Sequence, residues 1–213
     1  MTNAPNPAEH AWWLASRASG IVAMLLITAS VFIGLTLSTR VMKGPGVSRW
    51  LVTAHEQAAL AGLVSIAIHG VTLLGDPFLN PGVTGIAVPF AGAYKTLWVG
   101  IGILGGYLAA LLGLTFYAKK RIGVARWKKL HRLTIVVYAM SVIHTVGAGT
   151  DFQPGSWPML AVVAPVGPIT VLFVQRMMAA RAAAKPKPAP AEAEPAHQPH
   201  PRPTPPRPAT AEA

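Results

Sequence analysis

The sequence predicts an all-α fold, a polytopic membrane helical bundle of about five transmembrane helices. Of the 213 residues, 52% are hydrophobic and only 12% are charged. The apolar residues are concentrated in five long runs, and about 20 such residues in an α-helix cross the roughly 30 Å hydrocarbon core of a bilayer. This composition is typical of one small membrane domain and argues against a soluble protein.

The five predicted helices succeed one another along residues 19–177, which we interpret as a single membrane domain. A polar outer segment, 1–18, comes first, and it lacks the basic opening of a cleaved signal peptide. The helices are predicted at about 20–37, 53–75, 96–118, 131–147 and 158–176. Pro165 and Pro168 lie inside the fifth helix and should kink it.

Residues 178–213 are dominated by Ala, Pro and charged side chains. Because this composition cannot bury a hydrophobic core, we expect a disordered, Pro-rich cytoplasmic tail. His197 and His200 in the tail, and His10 near the other end of the chain, are expected to be solvated and not to bind a metal.

The distribution of basic residues predicts the orientation in the membrane. All but two of the 18 Lys and Arg residues fall on one side of a five-helix bundle, and the two exceptions are Arg17 and Lys95. Because cytoplasmic loops accumulate Lys and Arg, we expect a multi-pass protein of the cell (cytoplasmic) membrane with its N-terminus out and its C-terminus in. The net charge of +11 therefore follows the membrane segments, so that the expected partner is membrane lipid and not nucleic acid.

Histidine is the only strong ligand for a redox metal that this sequence offers. The chain has no cysteine, which excludes disulfides, iron–sulfur clusters and thiolate haem ligands. Ionisable side chains are costly within a bilayer and usually mark function there. Four of the seven histidines lie in apolar segments: His55, His69, His131 and His144.

The spacing of these four histidines indicates two levels of binding. His55 and His69 are 14 residues apart in the second helix, and His131 and His144 are 13 apart in the fourth. The two helices run in the same direction, so His55 shares a depth with His131, and His69 with His144. A haem iron takes one ligand on each side of its plane, which two facing helices can supply. The pattern predicts two b-type haems about 20 Å apart along the helices.

Ideal helix geometry fits the first pair better than the second. At about 100° per residue, 14 residues return to within about 40° of the starting face, whereas 13 residues end about 140° away. We therefore expect a π-bulge, a tilt or different rotamers in the fourth helix. Small residues such as Gly62 and Gly147 serve either to admit a flat macrocycle or to pack helices closely. Each imidazole should donate its second N–H to a carbonyl one turn back or to a hydroxyl such as that of Ser141.

The stretch WLASRASGIVAMLLITASVFIGL, the His55/His69 helix, the sequence KKLHRL and the closing His144 resemble the ferric reductase-like transmembrane domain, over about residues 12–177. That family includes the membrane parts of ferric reductases and NADPH oxidases, and the haem-binding membrane subunit of the bacterial methionine sulfoxide reductase system. The resemblance implies bis-histidine b haems, with His55 and His131 on the inner haem and His69 and His144 on the outer. It also supplies a precedent for the spacing of 13. One departure is that Glu56 follows His55, where the family often has an arginine.

Two arginines are candidate cofactor-binding residues because haem propionates are anionic. Arg132 could contact the inner haem and Arg17 the outer, although anchoring at the membrane surface is the alternative for both. A single haem on His69 and His144 and an additional FMN both remain open.

The sequence predicts an electron-transfer subunit and not a complete enzyme. No GxGxxG pattern follows a strand-like run, and nothing after residue 177 suggests a flavin or nicotinamide domain. Electrons would come from a separate cytoplasmic flavin reductase or a quinol and pass to an outer acceptor: ferric iron, oxygen or a partner oxidoreductase. Two alternatives are a small transporter, although only Glu56 of the seven acidic residues lies within a predicted span, and a non-redox scaffold whose Pro-rich tail binds partners.

Overall fold

The computed structural model describes residues 10–39, 44 and 46–183, and this part of the chain is helical throughout its regular structure. Five of its segments are long and apolar enough to cross a membrane, which confirms the predicted helical membrane bundle. Its helices are α1 (Ala11–Thr39), α2 (Val47–Leu73), α3 (Gly82–Ala87), α4 (Thr96–Ile122), α5 (Val124–His131), α6 (Thr134–Ala148), α7 (Trp157–Val163) and α8 (Val166–Ala183). The fourth span consists of α5 and α6, and the fifth of α7 and α8.

The helices at both ends of the described chain are longer than predicted. The first begins at Ala11 and not at residue 20, because its polar side chains find partners: the Ser19 hydroxyl donates to the Ala15 carbonyl at 2.7 Å, and Ser16 is buried. At the other end α8 continues to Ala183, so the first residues of the predicted tail are helical. Residues 184–213 of that tail, with His197 and His200, lie outside the described residues. His10 is not simply solvated, since it stacks on Phe78.

The fourth span is broken where the sequence predicts a continuous helix. After α5 ends at His131, the Arg132 N–H donates to the Lys129 carbonyl at 3.3 Å and the Leu133 N–H to the Leu130 carbonyl at 2.9 Å. These bonds reach back three residues and not four, and each residue in such a turn advances about 120° around the axis. Of the three expected devices, a π-bulge, a tilt or different rotamers, the described fourth span shows no π-bulge; this overwound turn changes the direction in which His144 points relative to His131.

The fifth span is interrupted at Pro165, as predicted. α7 ends at Val163 and α8 begins at Val166, because proline lacks the N–H that would continue the helix and its ring clashes with the preceding turn. Pro168 lies in the first turn of α8, where no intrahelical donor is needed.

The bundle is built from two closely packed helix pairs, α1 with α2 and α4 with α6. Within the described residues, α2 and α6 have little direct contact with each other, although together they carry three of the four candidate histidines. A buried cluster of Met24, Leu35, Tyr138 and Ile169 joins α1, α6 and α8. A Cβ on Gly62 would lie 3.5 Å from the Ile27 side chain of α1, so this glycine serves close packing of α1 against α2.

Candidate functional site

The four histidines of the apolar segments meet in two facing pairs. His55 of α2 faces His131 at the end of α5, with ring centroids 5.8 Å apart and ring planes at 88°. His69 of α2 faces His144 of α6, with centroids 6.3 Å apart and planes at 73°. We call these the inner pair and the outer pair. The structure thus brings the histidines together in the combinations that the sequence predicts, and their role as ligands stays a prediction.

The spacing within each pair suits one metal ion between two imidazoles. With metal–nitrogen bonds of about 2.0 Å, two imidazoles on opposite sides of a metal hold their ring centres about 6 Å apart. Among the described residues, no three His, Cys, Asp or Glu side chains converge on one point, so each pair offers two ligands. An iron porphyrin needs only two ligands from the protein, because the macrocycle supplies the other four nitrogens. The donor set of each pair therefore fits a b haem.

Helix α1 orients both histidines of α2 through main-chain hydrogen bonds. The His55 Nδ1–H donates to the Ser30 carbonyl at 2.8 Å, and the His69 Nδ1–H donates to the Ser16 carbonyl at 2.8 Å. A carbonyl oxygen only accepts, so Nδ1 carries the hydrogen in both rings and Nε2 is left as the basic nitrogen. Such outer partners are what orient the imidazole ligands of a metal.

Two serine–glycine steps of α1 make room for these rings. The hydroxyls of Ser16 and Ser30 lie 3.1 Å from the same Nδ1 atoms. Four residues after each serine comes a glycine: a Cβ on Gly20 would lie 3.0 Å from His69 Nδ1, and one on Gly34 would lie 3.1 Å from His55 Cε1. The two S-x-x-x-G steps are 14 residues apart, the same spacing as His55 and His69. The sequence reasoning missed this repeat, although SRASG and SVFIG display it.

His144 is oriented by α4 in a similar way. Its Nδ1–H donates to the Trp98 carbonyl at 2.9 Å, and a Cβ on Gly102 would overlap the His144 ring. The predicted acceptors, a carbonyl one turn back in the same helix or a hydroxyl such as that of Ser141, are wrong for His144, because its Nδ1–H goes to Trp98 of α4. The Ser141 hydroxyl itself donates to the Val137 carbonyl at 2.9 Å. The acceptors for three of the four rings come instead from the neighbouring helix.

The two candidate arginines lie in different surroundings. Arg17 forms a salt bridge with Asp151, Nη2 to Oδ2 at 2.5 Å, and its guanidinium lies 4.8 Å from the centre of the Trp13 ring. Arg132 follows the last residue of α5, is exposed, and forms no salt bridge within the described ranges. A contact between either arginine and a haem propionate stays a prediction.

Lys95 is held at the C-terminal end of α6, one turn beyond His144. Its Nζ donates to the Gly147 carbonyl at 3.0 Å and to the Ala148 carbonyl at 3.3 Å, and the Tyr94 hydroxyl donates to the latter at 3.2 Å. These carbonyls have no partner within the helix, and a cation near a helix C-terminus also interacts favourably with the helix dipole. Lys95 therefore stabilises the end of the helix that carries His144.

No protein-family model matches the chain, and no solved structure matches it. The proposal of a function consequently depends on the geometry of the four histidines.

Proposed function

We propose that this chain is a b-type haem membrane protein that transfers electrons across the cytoplasmic membrane. The electrons would come from a cytoplasmic flavin reductase or a quinol, and leave to ferric iron or a partner oxidoreductase on the outer side. The observation that carries the proposal is the facing of two histidine pairs, with ring centroids 5.8 Å and 6.3 Å apart. In this proposal His55 and His131 hold the inner haem, and His69 and His144 hold the outer one.

Hydrogen bonding supports the proposal independently of the spacing. The Nδ1 atoms of His55, His69 and His144 are engaged by carbonyls of adjacent helices, so that Nε2 is the nitrogen available to a metal. A half-buried histidine that served packing alone would not require a second imidazole at metal-bridging distance. When bound, b haem supplies reversible one-electron chemistry of iron, and the protein supplies orientation and surroundings.

The depths of the two pairs support transfer across the membrane and not chemistry at one face. His55 and His69 are 14 residues apart on α2, which corresponds to about 21 Å of helix rise within a hydrocarbon core of roughly 30 Å. One pair therefore lies toward each face. The resemblance of residues 12–177 to the ferric reductase-like transmembrane domain agrees with this arrangement.

The experiment that tests the proposal is a dithionite-reduced minus air-oxidised visible spectrum of the detergent-purified protein, with haem quantified per chain. We expect two haems per chain and the absorption bands of a low-spin b haem, because both ligands of each iron are imidazoles. Protein that was expressed with adequate haem supply and carried no reducible haem would overturn the proposal.

The angles between the imidazole planes predict the shape of the electron paramagnetic resonance spectrum. The planes within the pairs are at 88° and 73°. Nearly perpendicular ligand planes leave two iron dπ orbitals almost equal in energy, and this makes the g tensor strongly anisotropic. Both ferric haems should therefore give low-spin signals with one large g value. Rhombic signals from both haems, as parallel planes produce, would contradict this geometry.

The orientation in the membrane can be tested with single-cysteine variants, because the chain contains no cysteine. Lys120 is exposed near the end of α4 and Gln153 is exposed between α6 and α7. With the N-terminus out, a membrane-impermeant maleimide added to intact cells should label Gln153→Cys and not Lys120→Cys. Both variants should be labelled after the cells are lysed, and the reverse pattern in intact cells would invert the orientation.

A further inference from the structure

His131 is oriented differently from the other three histidines. Among the described residues its ring makes no hydrogen bond, whereas the rings of His55, His69 and His144 each donate to a carbonyl. Its ring lies instead against the indole of Trp127, with centroids 5.2 Å apart and planes at 23°. The two residues are one turn apart in α5, so the contact is a stacked pair along one face of that helix.

Trp127 is held in place by contacts with α4. The Phe116 ring meets the indole edge-on, with centroids 6.1 Å apart and planes at 66°. The Lys119 ammonium lies 3.7 Å from the centre of the Phe116 ring and 5.8 Å from that of Trp127, within the range of a cation–π interaction. The indole is therefore braced by α4 on one side and contacts His131 with its face.

We propose that Trp127 is a positioning residue for the inner haem, with its ring setting the orientation of His131. This inference depends on the proposed function, in which His131 is a haem ligand. His131 is the last residue of α5 and the overwound turn follows it directly, so no further helical turn of α5 constrains it on that side. Stacking on the Trp127 ring orients the His131 imidazole, as hydrogen bonds to carbonyl oxygens orient the other three imidazoles.

The surroundings of the indole nitrogen allow the ring of Trp127 to be tested separately from any hydrogen bond. Trp127 Nε1 is buried and has no hydrogen-bond partner among the described residues, so Trp127→Phe keeps a stacking ring without breaking a hydrogen bond. Trp127→Leu removes the ring. Trp50→Leu is the matched control, because Trp50 is 68% exposed at the same end of the bundle and, among the described residues, forms no aromatic ring pair with any of the four histidines.

The test is to measure haem per chain and binding of carbon monoxide to the reduced, full-length protein for the three variants. In Trp127→Leu we expect one of the two haems to be lost or to bind carbon monoxide, because its iron has lost a firmly placed axial ligand. The other haem should be unchanged, which shows that the variant is folded. Trp127→Phe and Trp50→Leu should retain two haems that do not bind carbon monoxide.

Combining Trp127→Leu with His144→Ala identifies the affected haem, since the double variant should then retain no haem that resists carbon monoxide. Two six-coordinate haems in Trp127→Leu would overturn the inference alone. Equal defects in Trp127→Phe and Trp127→Leu would also overturn it, because the aromatic ring would not be the important feature. A wild-type protein without haem would instead overturn the proposed function, and this inference with it.

Discussion

Replacing Gly102 with alanine is expected to remove the outer haem and to leave the inner one. The added methyl group would overlap the ring of His144, and the atom nearest to it is the Nδ1 that donates to the Trp98 carbonyl at 2.9 Å. Because α4 and α6 are closely packed, the ring has to turn away and lose that hydrogen bond. Haem quantified per chain should fall from two to one, with the remaining spectrum that of the inner site.

Gly106→Ala is the matched control for this variant. Gly106 lies in the same helix one turn later, and a Cβ there would be 3.6 Å from Ile66 Cγ2, an ordinary van der Waals contact. Both substitutions replace a helical glycine with the best helix former, so they change helix propensity equally. Gly106→Ala should retain two haems. If Gly102→Ala also retained two haems with unchanged spectra, the orientation of His144 would not matter for binding.

The four histidines are expected to act as two units in substitution experiments. His69→Ala and His144→Ala should each remove the same haem or leave it five-coordinate, and the double variant should affect that haem and not the other. Substitutions that affect one shared site are non-additive, whereas those at separate sites add. His55→Ala combined with His69→Ala should therefore leave no six-coordinate haem, because it removes one ligand from each pair.

The same variants can contradict the assignment of the four histidines to an inner and an outer pair. Reduced spectra, haem per chain and carbon monoxide binding should be recorded for every single variant and for the pairs within and between levels. If the double variant of His69 and His144 lost both haems, these two residues would belong to different sites, and the assignment of inner and outer pairs would be wrong.

Much of the bundle follows from hydropathy alone, and the depths of the histidines follow from the direction of the helices. The break after His131 does not, because the sequence HRLTI contains neither glycine nor proline to mark it. The turn is defined by hydrogen bonds that reach back three residues, from Arg132 to Lys129 and from Leu133 to Leu130. Such a local change of winding depends on how α5 and α6 pack in the bundle, which periodicity does not report.

The hydrogen-bond acceptors of the imidazoles could not be predicted either, because the sequence was interpreted one helix at a time. The sequence favoured an acceptor within the same helix, but the acceptors of His55, His69 and His144 are carbonyls of α1 and α4. Which carbonyl meets which ring depends on how two helices are aligned, and hydrophobic patterns determine facing sides better than axial alignment. The one visible clue was the recurrence of serine and glycine in α1 at the spacing of the α2 histidines.

That recurrence fixes how α1 and α2 are aligned along their axes. The helices are consecutive and antiparallel, so one axial register seats both Ser16 against His69 and Ser30 against His55. Inserting one residue midway along either helix would turn the far half by about 100° and shift it by about 1.5 Å, which separates one serine from its histidine. Only matched changes in both helices would keep both contacts. The separation between the inner and outer levels is consequently a shared property of one helical hairpin, and neither site can be moved along the membrane normal without the other.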